Sequence, residues 1–253
     1  MAAVETHVPA ILEIADDCLI LGHRLSEWCG HAPILEEEMA LANMGLDLLG
    51  QARALYAHAG EIEDKGRTED DLAFLRRERE YRNCLLVERR NGDFAHTMLR
   101  QFYFAAFMQP FWRDVAAGST DATLAGIAAK AEKEMAYHLR HSGEWVIRMG
   151  DGTEESARRM ADAVIELHRY TGELFMASPA RQQAIASGLL PDPESLRAEW
   201  DETIAAVFNE AKLEMPEIRV MQKGGRDGNH GEDMGHLLAE LQFMQRAYPG
   251  QTW

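Results

Sequence analysis

The stretch Ile34–Tyr56 reads I-L-E-E-E-M-A-L-A-N-M-G-L-D-L-L-G-Q-A-R-A-L-Y, and its pattern decides the fold class. Leu41, Gly45, Leu48, Ala52 and Leu55 share one helical face, while Ala42, Met44, Leu46 and Leu49 cover most of the remainder. A helix apolar around most of its circumference belongs in the middle of a bundle. Through it runs one polar stripe, Asn43, Asp47 and Gln51, at i, i+4, i+8. An ionised carboxylate in a dry core is costly unless it is hydrogen-bonded, paired or bound to metal. Asp47 therefore requires partners, and a functional reading has to find them.

Outward from this helix the chain reads as helices throughout. Pro9 marks the first turn of a preceding helix that runs to about Cys29, and the short turn G-H-A-P makes the two antiparallel neighbours. A charged, glycine-containing loop, Gly60–Thr68, leads to a polar amphipathic helix over Glu69–Tyr81, and C-L-L-V (84–87) reads as packed coil. Asn91-Gly92-Asp93 is a turn, with Asp93 as N-cap of a third long helix to about Ala117. That helix holds the aromatic run F-Y-F-A-A-F-M-Q-P-F-W, a core or partner-interface pattern, and Pro110 should kink it or interrupt its hydrogen bonding.

Gly118–Asp121 caps a fourth helix to about Met149, and Thr153 caps a fifth to about Phe175. A short helix follows Pro179, and another spans Pro193 to about Leu213. The segment K-G-G-R-D-G-N-H-G (223–231) reads as a mobile basic loop, and a last helix runs over Asp233–Tyr248, ahead of the terminal Trp253. No alternating strand pattern and no 20–50-residue repeat is present. The expectation is a single all-α domain over residues 1–253, a four-helix bundle of two long hairpins with additional peripheral helices.

Composition narrows the function. A formal charge of −16 argues against nucleic acid and fits solubility or a basic surface on another protein. The 3 cysteines are too few and scattered for a disulfide framework or zinc cluster, and Cys18 and Cys29 read as buried thiols. No apolar run approaches ~18 residues, so no membrane span is expected. The opening M-A-A-V-E-T-H-V-P has no basic n-region or apolar h-region, so a reducing cytoplasm is the expected location.

Two antiparallel hairpins are the frame of di-iron carboxylate proteins, which need a Glu on each of two helices and Glu-x-x-His on the other two. Folding the hairpins about their turns tests the chain against that requirement. Asp47 falls opposite about Asp17, but the second helix reads Asp47-Leu48-Leu49-Gly50, and glycine ligates nothing. Glu134 falls opposite Gln101, a neutral amide. The fourth helix reads Glu134-Met135-Ala136-Tyr137, with tyrosine at the histidine position and His138 displaced by one residue, about 100° around the helix. Metal retention depends on ligand number and geometry, so a bound iron pair is not expected. Asp17, Asp47, Gln101, Glu134, Tyr137 and His138 are read as a buried polar network where a metal site would be, with no catalytic and no metal-ligating residue among them.

Other candidates are weaker. His138 and His141 at i, i+3 suggest a metal pair but lie on an Arg-flanked helix, where solvation is the simpler reading. Phosphate-loop, nucleophile-elbow and zincin motifs are absent, and Lys223-Gly224-Gly225-Arg226 is a weak phosphate signal.

The blocks E-W-C-G-H-A-P (27–33), A-L-A-N-M-G-L-D-L-L-G-Q-A-R (40–53), K-E-M-A-Y-H-L-R (133–140) and the ending L-A-E-L-Q-F-M-Q-R-A-Y-P-G-Q-T-W resemble the C subunits of bacterial 1,2-phenylacetyl-CoA epoxidases. These blocks lie across essentially the whole chain. The resemblance implies a ferritin-like fold and a structural role beside a related A subunit. The di-iron centre belongs to that sister protein, which binds phenylacetyl-CoA and inserts one oxygen atom from O2 into the aromatic ring, with electrons from NADPH through a reductase. The resemblance also implies that this chain holds no cofactor and works in a hetero-oligomer of phenylacetate catabolism. The competing expectation is an independent ferritin-like metalloenzyme or oxidase that uses Asp47, Glu134 and His138. Iron content separates the two.

Overall fold

A computed structural model describes residues 7–251; Met1–Thr6, most of the stretch read for a leader, and the terminal Thr252–Trp253 lie outside the described residues. Four long helices form the bundle: α1 (Val8–Ser26), α2 (Leu35–Glu63), α5 (Phe94–Gly118) and α6 (Ala122–Gly150). Between the hairpins lie α3 (Glu69–Phe74) and α4 (Leu85–Glu88), and after them α7 (Glu154–Leu167), α8 (Pro179–Ala186), α9 (Arg197–Glu210), α10 (Glu232–Leu241) and α11 (Phe243–Ala247). No strand occurs among the described residues, and the fold is all-α and ferritin-like.

The helix ends follow from local chemistry. Asp93 accepts a hydrogen bond from His96 N, and Asp121 from Leu124 N, so each α5 and α6 terminus has an orphan N–H satisfied. Thr153 and Ser156 form a reciprocal cap at the start of α7. α5 runs unbroken through Pro110. Several elements are shorter or tighter than the sequence suggests. The Glu69–Tyr81 helix is α3 followed by a 3-10 turn at Glu78–Glu80, and of the expected coil at 84–87 only Cys84 is extended, residues 85–87 belonging to α4. Beyond α7 the chain continues as a 3-10 helix, His168–Phe175, and the last helix breaks at Gln242 into α10 and α11.

The hairpin α1–α2 is held close by two glycines. A Cβ on Gly22 would stand 3.2 Å from the Gly45 carbonyl oxygen, and one on Gly45 would stand 3.3 Å from that of Gly22. The aromatic run of α5 is entirely core: Phe102, Tyr103, Phe104, Phe107, Phe111 and Trp112 are buried. α7 and α9 close over it, with Trp200 Nε1 donating to the Tyr103 carbonyl at 3.0 Å. That run is therefore unavailable as a partner surface.

α1 is buried along nearly its whole length, carboxylates included. Glu13, Asp16 and Asp17 each face a different peripheral segment and each meets an arginine. Asp16 pairs with Arg76 and accepts from Tyr56 Oη at 2.5 Å and Arg82 N at 2.7 Å. Asp17 pairs with Arg226 at 2.7 Å, and Glu13 lies 3.4 Å from Arg181 while accepting from Ser178 Oγ at 2.5 Å. Buried charges persist only when paired in this way.

The segment 223–231, expected to be mobile, is instead locked in place. Arg226 reaches into α1, and Glu173 accepts from Gly224 N at 2.7 Å. Gly225 lies so close to the Asn83 carbonyl oxygen that any Cβ there would collide with it. Gly224 and Gly228 adopt φ of 141° and 76°, which side-chain-bearing residues rarely tolerate.

Candidate functional site

The two hairpins meet most closely along α2 and α6, which run antiparallel. Four polar cross-pairs mark that seam in order. Glu37 faces His141 at 2.9 Å, Asp47 faces His138 at 3.2 Å, Gln51 donates to Glu134 at 2.9 Å, and His58 faces Asp121 at 2.8 Å. The Asp121 carboxyl loses solvation there, which raises its pKa. The Leu124 N–H and His58 outweigh that and hold it below the usual range.

The middle two pairs extend into the bundle. Gln101 of α5 places its amide nitrogen 3.0 Å from His138 Nδ1, and Cys18 of α1 places its thiol 3.7 Å from Gln51 Oε1. All four bundle helices thus contribute to one polar layer: Cys18, Asp47 with Gln51, Gln101, and Glu134 with His138. An amide nitrogen only donates, so His138 Nδ1 accepts from Gln101 while Nε2–H donates to Asp47. Burial, with Asp17 and Glu134 nearby, pushes the Cys18 thiol well above its ordinary pKa, which disfavours the nucleophilic thiolate.

The layer departs from the sequence expectation in several ways. Asp17 is absent from it, being turned to Arg226, and the α1 residue that reaches the layer is Cys18. Gln101 meets His138, not Glu134, whose partners are Gln51 and, at 3.1 Å, Lys130. Asp47 is not in a dry core, since its side chain is 35% exposed, whereas His138 is fully buried. Tyr137 makes no hydrogen bond to the layer; it is half-buried against the core, with its ring 5.7 Å from that of His141 and Arg140 above it. Cys29 is exposed, not buried. Gly50, standing at an expected histidine position, faces solvent.

The di-iron centre of ferritin-like oxygenases does not fit these residues. No cluster of three or more His, Cys, Asp or Glu side chains with metal-binding geometry occurs among the described residues. The two candidate ligands on α6 are each engaged by an amide N–H: Glu134 by Gln51 and the His138 Nδ1 lone pair by Gln101. A neutral amide here replaces the carboxylate that would balance a cation.

Beside the layer an open cleft of about 370 Å³ lies between α2 and α6, floored by Gly50, Ala54 and Gly126 and edged by Gln51, Lys130 and Glu134. A larger hollow of about 490 Å³ lies between Asp70–Asp71 and Tyr248–Gln251, and no residue of the layer lines it. No helix among the described residues is long and apolar enough to cross a membrane.

The signal that sequence reasoning missed is the spacing of Glu13, Asp16 and Asp17 at i, i+3, i+4 in an otherwise apolar helix. Comparison with known proteins supplies the remaining context. The profile of a family described as phenylacetic acid catabolic protein matches residues 1–253. The chain is also 46% identical over 242 residues to the C subunit of the 1,2-phenylacetyl-CoA epoxidase of Escherichia coli (strain K12), an alignment that spans 96% of this chain and 97% of that one.

Proposed function

This chain belongs to the phenylacetic acid catabolic protein family, and on that premise we propose that it is a non-catalytic, metal-free subunit of a 1,2-phenylacetyl-CoA epoxidase. Its role is to dock and stabilise the di-iron-bearing A subunit in a cytoplasmic hetero-oligomer of phenylacetate catabolism. The electrons from NADPH and the O2 are used by that assembly, with no cofactor held in this chain.

One observation carries the reading. In the polar layer the side chains that would bind a metal are already hydrogen-bonded to Gln51 and Gln101, so the bundle keeps an oxygenase scaffold with amides where charged ligands would be. Such a layer fixes the register of the two hairpins and leaves O2 chemistry to a partner. An obligate partner of this size buries roughly 2,000 Å² or more.

The test is co-expression with the A subunit, followed by size-exclusion chromatography and turnover assays. The expected result is a co-eluting complex that oxidises phenylacetyl-CoA, together with an iron-free and inactive chain when this protein is expressed alone. Separate elution at micromolar concentration sinks the assembly role. About one or two irons per chain in the isolated protein sinks the metal-free role and favours the independent metalloenzyme.

A further inference from the structure

The helices of the bundle are covered unequally. α1 and α5 are buried along nearly their whole lengths by the peripheral segments packed around them. α2 is different. Leu35, Met39 and Leu46 lie on one side at i, i+4, i+11, and they are 71%, 60% and 66% exposed. Ile34 extends the strip at one end, and exposed Ala42, Asn43 and Gly50 fill the gaps between the larger side chains. An exposed apolar strip of this length is the mark of an interaction surface.

The charge left without a partner beside the strip is basic, against the acidic balance of the chain as a whole. The molecule has 42 Asp and Glu against 26 Lys and Arg. Yet the outward ridge of the neighbouring α6 presents Lys130, Lys133 and Arg140, and Arg53 stands at the far end of the α2 strip. Lys133 has no carboxylate partner among the described residues, and Arg140 rests only over the Tyr137 ring. Arg53 is 78% exposed and held loosely by Glu69 at 3.4 Å. Carboxylates on this face are either at its edge, in the first turn of α2 at Glu36 and Glu38, or already engaged: Asp47 by His138, Glu134 by Gln51 and Lys130, and Glu144 by Arg148.

We propose that this outer face of α2, with the basic ridge of α6 beside it, is where the oxygenase's metal-bearing subunit docks, presenting an apolar helix flanked by carboxylates. The inference rests on the assembly role proposed above and adds to it the face and its chemistry. Charge complementarity selects the occupant: an acidic border on the partner neutralises Lys133, Arg140 and Arg53, and their desolvation is then offset by pairing. A second copy pairing through the same strip is disfavoured, because a two-fold contact brings the same unpaired cations to the interface from both sides.

The experiment measures binding of the purified A subunit to the full chain and to three variants. Leu46→Glu and Lys133→Glu change the proposed face, and Ile165→Glu changes an equally exposed position on α7. All three side chains are solvent-accessible, and thermal midpoints confirm that each variant is folded. Leu46→Glu should weaken binding by about tenfold or more, as loss of an interface anchor does. Lys133→Glu should weaken it several-fold and reduce its salt dependence, while Ile165→Glu should bind like the parent. Parent-like binding by Leu46→Glu and Lys133→Glu overturns the face and leaves the assembly role standing. Failure of the unaltered chain to bind overturns the assembly role and the face with it. A self-associated parent that Leu46→Glu renders monomeric shows that a second copy occupies the strip, which also overturns the proposal.

Discussion

Arg226 grips Asp17 with two nitrogens, at 3.0 and 2.7 Å, across 209 residues of sequence, and so fastens the glycine-rich segment 223–231 to the first helix of the bundle. The same guanidinium donates to the carbonyls of Glu13 and Arg82 at 3.1 and 2.8 Å. Both side chains are almost fully buried. Removing one member leaves the other charged and unpaired in a low-dielectric setting, which costs about 3–5 kcal/mol.

Arg226→Met should therefore lower the stability of the isolated chain by about 3–5 kcal/mol in urea titration. It should also raise amide exchange selectively in residues 223–231. The double variant Asp17→Leu/Arg226→Met should be less destabilised than the sum of the singles, because neither charge is orphaned. A change below about 1 kcal/mol in Arg226→Met would show that water replaces the pair.

The polar layer makes a graded prediction. Asp47→Asn retains an oxygen acceptor for His138 Nε2–H, so stability of the chain and turnover of the assembled complex should both stay near the parent values. Asp47→Leu removes the acceptor and should cost about 1 kcal/mol, the low end of the range for an orphaned donor, because water reaches this half-exposed position. Gln101→Leu strips the donor from His138 Nδ1 in the closed interior and should cost more, up to about 3 kcal/mol. The measurements are thermal midpoints and turnover normalised to folded protein. If Asp47→Asn assembles normally but abolishes turnover, the carboxylate is a functional group and the structural role of the layer fails.

Much of this organisation was legible in the sequence, and its failures share a cause. The bundle, the turn at 91–93 and the caps at Asp93, Asp121 and Thr153 follow from local periodicity and capping chemistry. Counting residues from a turn gives the level of a side chain along its helix but not the face it points from. Asp17 and Cys18 stand at nearly the same level, yet they point about 100° apart, and only Cys18 looks into the layer. The same ambiguity set Gln101 against Glu134 when its partner is His138. Leu46 misled in another way, because an apolar residue exposed on a helix has the same sequence signature as one buried in a core. The role of Arg226 was invisible because the carboxylate that holds it lies on the first helix.

Glycine tells the same story from the backbone. Gly45 packs against Gly22 with no room to spare, whereas Gly50, five residues on, meets nothing within 4 Å of a built Cβ. Gly45→Val must push α1 and α2 apart and should destabilise the isolated chain by about 1–3 kcal/mol. Gly50→Ala adds a methyl to solvent in mid-helix and should stabilise it by about 0.5–1 kcal/mol, through lower backbone entropy in the unfolded chain. Denaturant titration of the two variants checks the contrast. A destabilised Gly50→Ala would mean that the outer face of α2 is closed in the isolated protein.

The last prediction concerns pH. His230 and Glu88 have fully buried side chains, with Nδ1 2.7 Å from the carboxylate, and Nε2 lies 3.1 Å from the Tyr81 carbonyl. Burial alone lowers the imidazole pKa, but the hydrogen bond and charge of Glu88 outweigh it, so the folded value lies above the ordinary 6.5. A raised folded pKa means that the native state holds the proton more tightly than the unfolded chain does. The resulting stabilisation is complete below about pH 6.5 and is lost as pH rises through the folded value. His23 and His168 are shifted the other way, chiefly by burial, and favour the native state above that pH. They are common to the parent and to His230→Gln, so their effect cancels in the difference between the two. The thermal midpoint of the parent should exceed that of His230→Gln most at about pH 5.5, and the gap should shrink steadily towards pH 8.5. A gap that stays constant, or widens with pH, means that Glu88 does not hold a proton on His230 in the native protein.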